Sequence, residues 1–184
     1  LTVSVQNNFR TASHRQHHKH ADKDGDPHSI SIFGFYRLGV LKPLNAFIRV
    51  LLFIPHQQTK DDGYPARYGV TYKEDYTTKY PRAGRALFLL INVALFGVSG
   101  IWLFVAFYAL VIFLLMVVID ICGHAIGYRN HNTTDNAVNL PIFFVVGSEG
   151  LHNNHHANPQ KAKYSEKWWE FDIPAIFIKY IFKK

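Results

Sequence analysis

Cysteine is nearly absent from this chain of 184 residues, since Cys122 is the only one. A disulfide framework and a Cys-rich zinc module both need several cysteines, so the sequence excludes both. Methionine is equally scarce: the chain begins with Leu1, its only methionine is Met116, and no signal peptide is visible. We therefore expect a fragment or a processed chain. With 48% hydrophobic and 18% charged residues, it is not a disordered chain.

Charged side chains and histidines are missing from residues 86–119, although the mean hydropathy of the whole chain is −0.03. One straight helix over these 34 residues would be about 51 Å long, whereas the hydrocarbon core of a bilayer is about 30 Å thick. The segment 97–100, with a glycine at each end, offers a break. The sequence therefore predicts a membrane hairpin with arms from about Arg82 to Phe96 and from about Ile101 to Asp120.

Lysine and arginine flank the outer ends of this hairpin and are absent from its tip. The positive-inside tendency therefore places both ends of the chain, with the histidine motifs described below, on the cytoplasmic side. Residues 30–56 are apolar but interrupted by basic residues, which favours a helix in the membrane interface; a buried core helix is the alternative. We interpret 1–184 as one partial domain with four parts: 1–29, 30–85 as an interfacial and cytosolic cap, 86–120 as the hairpin, and 121–184 as cytosolic cap.

Two histidine motifs of one pattern, HxxHH, stand out among the 11 histidines. They consist of His14, His17 and His18, and of His152, His155 and His156. If each motif is helical, residues i, i+3 and i+4 lie on one face and direct three imidazoles to a common region. His124 follows the predicted hairpin, with Asp120 on the same helical face, and is a seventh candidate. Two such motifs indicate a metal site rather than a solvated histidine-rich surface.

The number and type of these side chains indicate which metal could bind. Imidazole suits zinc, copper, iron and nickel. A four-coordinate zinc takes at most four protein ligands, so seven clustered histidines indicate two ions. An all-nitrogen site beside a membrane favours redox-active iron, although composition leaves zinc open. Asp22, Asp24, Asp26 and Glu149 are candidates for carboxylates that orient the histidines; for the aspartates, a solvated turn is an equal alternative.

Five segments carry a family resemblance: HRQHH at 14–18, DPH at 26–28 followed by Gly34-Phe35, GHAIGYR at 123–129, GSEGLHNNHHA at 147–157, and WWEFD at 168–172. Their order and spacing resemble those of the integral-membrane fatty acid desaturases, especially bacterial-like delta-9 acyl-CoA or acyl-lipid members. The resemblance implies an all-α fold, with polytopic membrane helices under a cytosolic helical cap. Of four expected membrane helices, this chain would carry the last two.

The resemblance also implies two iron ions as cofactor and no catalytic residue beyond the metal ligands. The implied ligands are His14, His17, His18, His124, His152, His155 and His156. Asp120 stands where many members have asparagine, so it and Glu149 are possible metal-binding or ligand-orienting residues. The remaining histidines, His20, His28, His56 and His131, match no ligand position. The family's first motif, HxxxxH, is expected before residue 1, so we expect the complete parent to be active and this chain alone to be inactive.

The activity that the resemblance implies is the introduction of a cis double bond into a long acyl chain, using O2 and two electrons. Expected partners are an acyl substrate carried by coenzyme A, acyl carrier protein or a lipid, an electron donor of ferredoxin or haem-protein type, and membrane lipids, but no nucleic acid. A related di-iron membrane hydroxylase or alkane monooxygenase is one alternative. A non-enzymatic membrane metal-binding protein is the other, although the lack of ionisable residues in 86–119 counts against metal transport.

Overall fold

The computed structural model describes residues 7–53, 63–71, 80, 82–142 and 146–182. These residues are helical and contain no β-strand, only two isolated β-bridges that join Asn139 to Tyr128 and to Leu151. The α-helices are α1 (Asn7–His20), α2 (Ile30–Phe35), α3 (Lys42–Leu51), α4 (Tyr64–Arg67), α5 (Ala83–Phe96), α6 (Ser99–Phe113), α7 (His152–Ala157) and α8 (Ile173–Phe177). The predicted all-α fold is confirmed. His56 and the end of the 30–56 segment lie outside the described residues.

Several α-helices continue into turns of other helical types. π-Helical turns at Tyr36–Leu41, Leu114–Ile119 and Ile178–Phe182 lead into α3 and extend α6 and α8. A short 3₁₀ turn at Cys122–His124 contains His124, and another at Gly147–Gly150 precedes α7. π-Helical turns within α-helices occur frequently at functional sites, and 3₁₀ turns are common as connectors.

The apolar segment forms the hairpin that the sequence predicts, with α5 and α6 as its arms. Gly97 ends α5 with a φ of 59°, a conformation that glycine adopts without strain. A Cβ on Gly100 would overlap the carbonyl oxygen of Asn92, so this glycine lets the two arms approach closely. The second arm begins at Ser99, slightly before the predicted Ile101, because the turn needs only residues 97 and 98.

Among the residues that the structure describes, one of the two arms is long enough to cross a bilayer. The helical run Ser99–His124 has 26 residues, or about 39 Å at 1.5 Å per residue. Helix α5 has 14 residues and is the shorter arm that the sequence predicts. Both arms leave apolar side chains exposed, among them Leu90, Leu95 and Trp102. Such surfaces are suited to lipid rather than water.

The core of the described region lies where α3 packs against α6. Val50 on α3 contacts a buried row on α6 formed by Phe104, Tyr108 and Ile112. The opposite side of α3 leaves Leu44, Ile48 and Leu52 exposed. Helix α3 therefore combines a packed face with an apolar face that is free for the membrane interface, and its interfacial position stays a prediction.

Candidate metal centre

The seven histidines singled out from the sequence lie together in two groups. His17, His124, His152 and His156 form what we call the four-histidine group. His14, His18 and His155 form the three-histidine group. Within each group, one ligand atom from every histidine lies within 4.8 Å of the others. These are the only metal-capable groups found among the described residues, and they contain none of the other histidines.

Each HxxHH motif divides its histidines between the two groups. His14 and His18, at i and i+4, share the three-histidine group, while His17, at i+3, belongs to the four-histidine group. The second motif divides in the same way, with His155 separated from its neighbours. Successive helical residues differ by about 100°, so positions i and i+4 point nearly together while i+3 diverges from i+4. Two metal positions therefore follow from helix geometry once α1 and α7 face each other.

The three-histidine group is a triangle of Nε2 atoms. The Nε2 atom of His14 lies 3.0 Å from that of His155 and 3.1 Å from that of His18, and the His18 and His155 atoms are 2.9 Å apart. Two nitrogens bound at right angles to one metal at about 2.1 Å are about 3.0 Å apart. The spacing thus fits three imidazoles that share one ion.

The four-histidine group has the same spacing and is buried more deeply. The Nε2 atom of His152 lies 3.1 Å from those of His124 and His156. The ring of His17 completes the group, with its centroid 5.0 Å from the ring of His124 and 5.1 Å from that of His156. His17, His124 and His152 are each less than a tenth exposed.

Three aspartates fix the orientation of histidines in this buried group. The Nδ1 atoms of His17, His124 and His156 lie 2.8 to 3.0 Å from the carboxylates of Asp26, Asp22 and Asp135, respectively. With the proton on Nδ1 donated to a carboxylate, the Nε2 lone pair points into the group, as in histidines that bind metals. The sequence predicted this role for Asp22 and Asp26 but missed Asp135, which shares no local spacing with a histidine. Asp24 is exposed.

Opposing effects act on the pKa values of these carboxyl groups. Burial raises the pKa of Asp22, but the hydrogen bonds from His124 and from the Asn136 backbone lower it by a larger amount. The net pKa is therefore below its usual value. Burial and the hydrogen bond from His17 act on Asp26 in the same way, and its net pKa is also lowered. Both carboxylates are therefore ionised at neutral pH, as partners of an Nδ1–H group require.

Three of these histidines, His14, His152 and His155, are held in the neutral form that binds metal ions. Burial and neighbouring imidazoles lower the pKa of His14 to about 4 and that of His155 to about 3. The same causes lower the pKa of His152 well below 6.5. A neutral imidazole offers a lone pair to a metal, whereas an imidazolium does not. Donor type, spacing and protonation thus fit two metal ions with nitrogen ligands.

Asp120 and Glu149 lie outside both groups. Asp120 Oδ2 lies 3.2 Å from His28 Nδ1, and the His28 ring centroid is 5.5 Å from that of His17. Lys42 Nζ also approaches His28 Nδ1, at 3.0 Å. The Glu149 side chain is exposed. Sequence reasoning assigned no role to His28, yet the structure places it between Asp120 and the four-histidine group.

The two asparagines inside the second motif tie α7 to the rest of the cap. Asn153 Oδ1 accepts hydrogen bonds from the backbone N–H groups of Asn130 and His131 at 2.9 and 2.8 Å. Asn154 donates to Glu170 at 3.1 Å, and its Oδ1 accepts from the side chain of Asn139 at 2.9 Å. Both asparagines are fully buried. Sequence reasoning missed this scaffold, although two polar residues at fixed positions between ligands were a signal.

The other histidines have different neighbours. His131 Nε2 lies 2.8 Å from a carboxylate oxygen of Glu166, and His20 packs beneath Gly25. Neither belongs to a metal-capable group. That His20 and His131 bind no metal stays a prediction.

An all-helical chain with an apolar hairpin and two histidine groups has the features of a membrane-associated protein with a capacity to bind metal. The family model for fatty acid desaturases matches residues 4–169. The chain therefore belongs to the fatty acid desaturase family, which confirms the resemblance seen in its motifs. This family is membrane-associated, and the run Ser99–His124 supplies one candidate spanning helix.

Curated relatives carry more specific names. The chain is 33% identical over 178 residues to the sn-2 palmitoyl-lipid 9-desaturase of Nostoc sp. (strain 36), which covers 90% of this chain and 56% of the relative. It is 29% identical over 176 residues to the sn-1 stearoyl-lipid 9-desaturase of Anabaena variabilis, covering 91% and 58%. The chain spans about half the length of the curated relatives it matches. No solved structure shows a significant match.

Proposed function

We propose that this chain is the histidine-bearing part of a membrane acyl desaturase that introduces a cis double bond into a long acyl chain with O2 and two electrons. The observation that carries the proposal is the convergence of seven histidines from three separate regions into two metal-sized groups. That convergence occurs in a chain of the fatty acid desaturase family.

Iron is the metal that this proposal assigns to both groups. His17, His124, His152 and His156 would hold one ion, and His14, His18 and His155 the other. Bound iron would supply the oxidising chemistry with O2 that removal of hydrogen from an unactivated methylene requires. Family membership and the nitrogen-only donor sets support this choice over a closed structural zinc site.

The residues of this chain would orient the metal ligands and exclude water. Asp22, Asp26 and Asp135 hold three imidazoles by their Nδ1 protons, so that the Nε2 atoms stay aligned. His17, His124 and His152 of the four-histidine group are buried, and so are Val118, Ile119 and Ile121, which precede His124 in the chain. Burial of the ligands limits the access of water to the metal position.

The substrate and the partners are inferred from the relatives and from charge. The relatives named above act on stearoyl or palmitoyl groups of lipids, so we propose a long acyl chain linked to a lipid, with coenzyme A or acyl carrier protein as other possible carriers. The basic residues at the outer ends of the hairpin support a cytoplasmic position for the histidine groups. A ferredoxin or a haem protein would deliver the electrons.

Expression of the complete gene that encodes this chain, in a desaturase-deficient host, tests the proposal. Fatty acid profiling by mass spectrometry should show acyl chains that have lost two hydrogens. A gain of one oxygen would instead identify a hydroxylase or monooxygenase. An unchanged profile, with iron bound to the purified protein, would favour a non-enzymatic metal-binding protein.

A matched pair of variants links the activity to the site. His155→Ala removes a member of the three-histidine group and should abolish the product. His131→Ala removes a histidine that contacts Glu166 on the surface and should retain it. Retained activity in the first variant would refute the assignment of His155 as a ligand.

A further inference from the structure

An open groove of about 480 Å³ lies in the C-terminal part of the cap, apart from the histidine groups. Its walls include three lysines, Lys161, Lys163 and Lys179, and its apolar lining comes from Ala162, Ala175 and Ile178. Lys161 and Lys163 precede the Trp168-Trp169 segment, whereas Lys179 lies on the helical turn that follows α8. Two distant parts of the segment thus contribute cations to one concave surface.

The acidic side chains of the same segment do not cancel this charge. Glu170 and Asp172 are buried. Glu170 accepts hydrogen bonds from the backbone N–H groups of Glu166 and Lys167, at 2.6 and 3.0 Å. Asp172 accepts from the backbone of Tyr164 at 2.7 Å and from that of Ala175 at 3.0 Å.

Glu166 also lines the groove, but its carboxylate lies 2.8 Å from His131 Nε2. The outward charge of the groove is therefore dominated by its lysines, which makes it suited to an anion.

Helix α8 and its π-helical continuation expose a run of apolar side chains beside these lysines. Ile176, Phe177, Tyr180 and Ile181 are each more than half exposed. Trp168, just before the helix, is 93% exposed. Apolar side chains next to lysines on a short helix are the pattern of an element that lies in a membrane interface, where tryptophan is enriched.

We propose that the groove binds the phosphate of an anionic phospholipid and thereby seats residues 161–182 on the membrane surface. A lipid fits both halves of this surface, since its headgroup is anionic and its acyl region is apolar. A soluble acidic protein would complement the lysines but would leave the apolar side chains in water. The proposal does not rest on the metal ions or on the desaturase activity.

Titration of the full chain in detergent micelles with short-chain phosphatidylglycerol tests the headgroup site. Each lysine near an anionic lipid strengthens binding, and the loss of one such lysine weakens the affinity by about fivefold. The double variant K161Q/K163Q should therefore bind this lipid more than tenfold more weakly. The control K19Q/K23Q removes two exposed lysines outside the groove and should bind as the unmodified chain does.

Two further probes separate the lipid from other anions. Short-chain phosphatidylcholine should bind much more weakly, and inorganic phosphate at millimolar concentration should not displace phosphatidylglycerol. Equal binding of both lipids, displacement by phosphate alone, or equal loss in the two double variants would overturn the proposal.

Hydrogen–deuterium exchange in nanodiscs tests the seating of the helix. Amides of 173–182 should exchange more slowly in discs that contain phosphatidylglycerol than in pure phosphatidylcholine, and K161Q/K163Q should abolish the difference. Phe177→Ser, which keeps every lysine, should reduce the protection but retain the lipid preference. Protection that is independent of lipid charge, or that arises only with an acidic protein, would contradict the proposal.

Discussion

The Nε2 atoms of His14 and His155 lie 3.0 Å apart although 141 positions separate the two residues. Between them the chain passes out along α5 and back along α6. If this hairpin enters the membrane, it must return to the side from which it started, because otherwise the two atoms would lie on opposite sides. The three-histidine group can therefore form only if the hairpin brings both histidine motifs to the same side of the membrane.

The metal content of His155 variants tests the division into two groups. His155 belongs only to the three-histidine group, so His155→Ala should lose about one of two bound iron ions and retain the other. Elemental analysis of the purified chain after reconstitution with ferrous iron measures this loss. His131→Ala is the control and should bind as much iron as the unmodified chain. Complete loss of both ions, or no loss, would contradict two separate positions.

Asp22 and Asp24 form a matched pair for the role of the orienting carboxylates. Asp22 Oδ2 accepts from His124 Nδ1 at 3.0 Å and from the backbone of Asn136 at 2.8 Å, whereas Asp24 is exposed. Loss of such a carboxylate typically weakens metal binding by about 10- to 100-fold. We expect this loss for Asp22→Asn, measured by competition with a chelator. Asp22 has a φ of 60°, which asparagine tolerates, so backbone strain does not complicate the result.

Asp24→Asn removes the same charge from the same turn and should leave the affinity for the metal unchanged. An equal effect of both substitutions would mean that general charge, rather than the contact with His124, controls binding.

The parts of the structure that could be predicted from the sequence are those encoded by local spacing. The hairpin follows from an uncharged run with a glycine break, and the candidate ligands follow from the two HxxHH motifs. The separation of His17 from its neighbours was not predicted, because it depends on how α1 and α7 face each other. Helix periodicity gives the directions of side chains, but only packing decides which helix they meet.

Contacts between distant residues could not be predicted for the same reason. Asp135 contacts His156 across 21 positions, and Asp120 contacts His28, which matched no ligand position in the sequence. Glu170 accepts from Tyr128 across 42 positions. A carboxylate shows no pattern in the sequence that reveals its distant partner, so these pairs become visible only in the folded chain.

Acid should destabilise the metal-free chain. Burial, with the neighbouring histidines, lowers the pKa of His155 to about 3, whereas an unfolded histidine has a pKa of about 6.5. Between these values the unfolded chain binds a proton that the folded chain does not, so stability falls as the pH falls. From pH 7.5 to 5.5, His155 alone should reduce the free energy of unfolding by about 1.4 kcal/mol.

The melting temperature of the chelator-treated chain in detergent measures this effect. It should be lower at pH 5.5 than at pH 7.5, and His155→Gln should make the difference smaller. A melting temperature that rises on acidification would show that the histidines are not buried in the neutral form.

Glu170 should be important for stability because its carboxylate joins α7 to the C-terminal segment. It accepts from the side chains of Tyr128 at 2.8 Å, Asn130 at 2.7 Å and Asn154 at 3.1 Å. Burial raises the pKa of Glu170, but the backbone N–H groups that it accepts from lower the pKa by a larger amount. The carboxylate is therefore ionised at neutral pH. Glu170→Gln replaces an accepting oxygen with an amide N–H group that would face other donors. We expect this substitution to lower the free energy of unfolding by about 2 kcal/mol.

Thermal unfolding in detergent measures that cost, and Glu166→Gln is the matched control. Glu166 contacts His131 at a partly exposed position, so loss of the carboxylate should lower the free energy of unfolding by less than about 1 kcal/mol. If the two substitutions destabilise equally, Glu170 does not organise the region around α7.

Gly100 should control the close approach of the two hairpin arms. A Cβ at this position would overlap the carbonyl oxygen of Asn92, whereas a Cβ on Gly84 would meet no atom within 4 Å. Gly100→Ala should therefore separate α5 from α6 and destabilise the chain by about 1–3 kcal/mol, the usual cost of overpacking. Gly84→Ala should be neutral or slightly stabilising, because alanine is the better helix former.

Melting temperatures of both variants in the same detergent compare these effects, and iron content adds a second readout. Because α6 leads directly to His124, separation of the arms in Gly100→Ala should also weaken metal binding at the four-histidine group. The three-histidine group has no ligand on this helical run and should retain its ion. An equal loss from both groups would show that the hairpin supports the whole cap rather than His124 in particular.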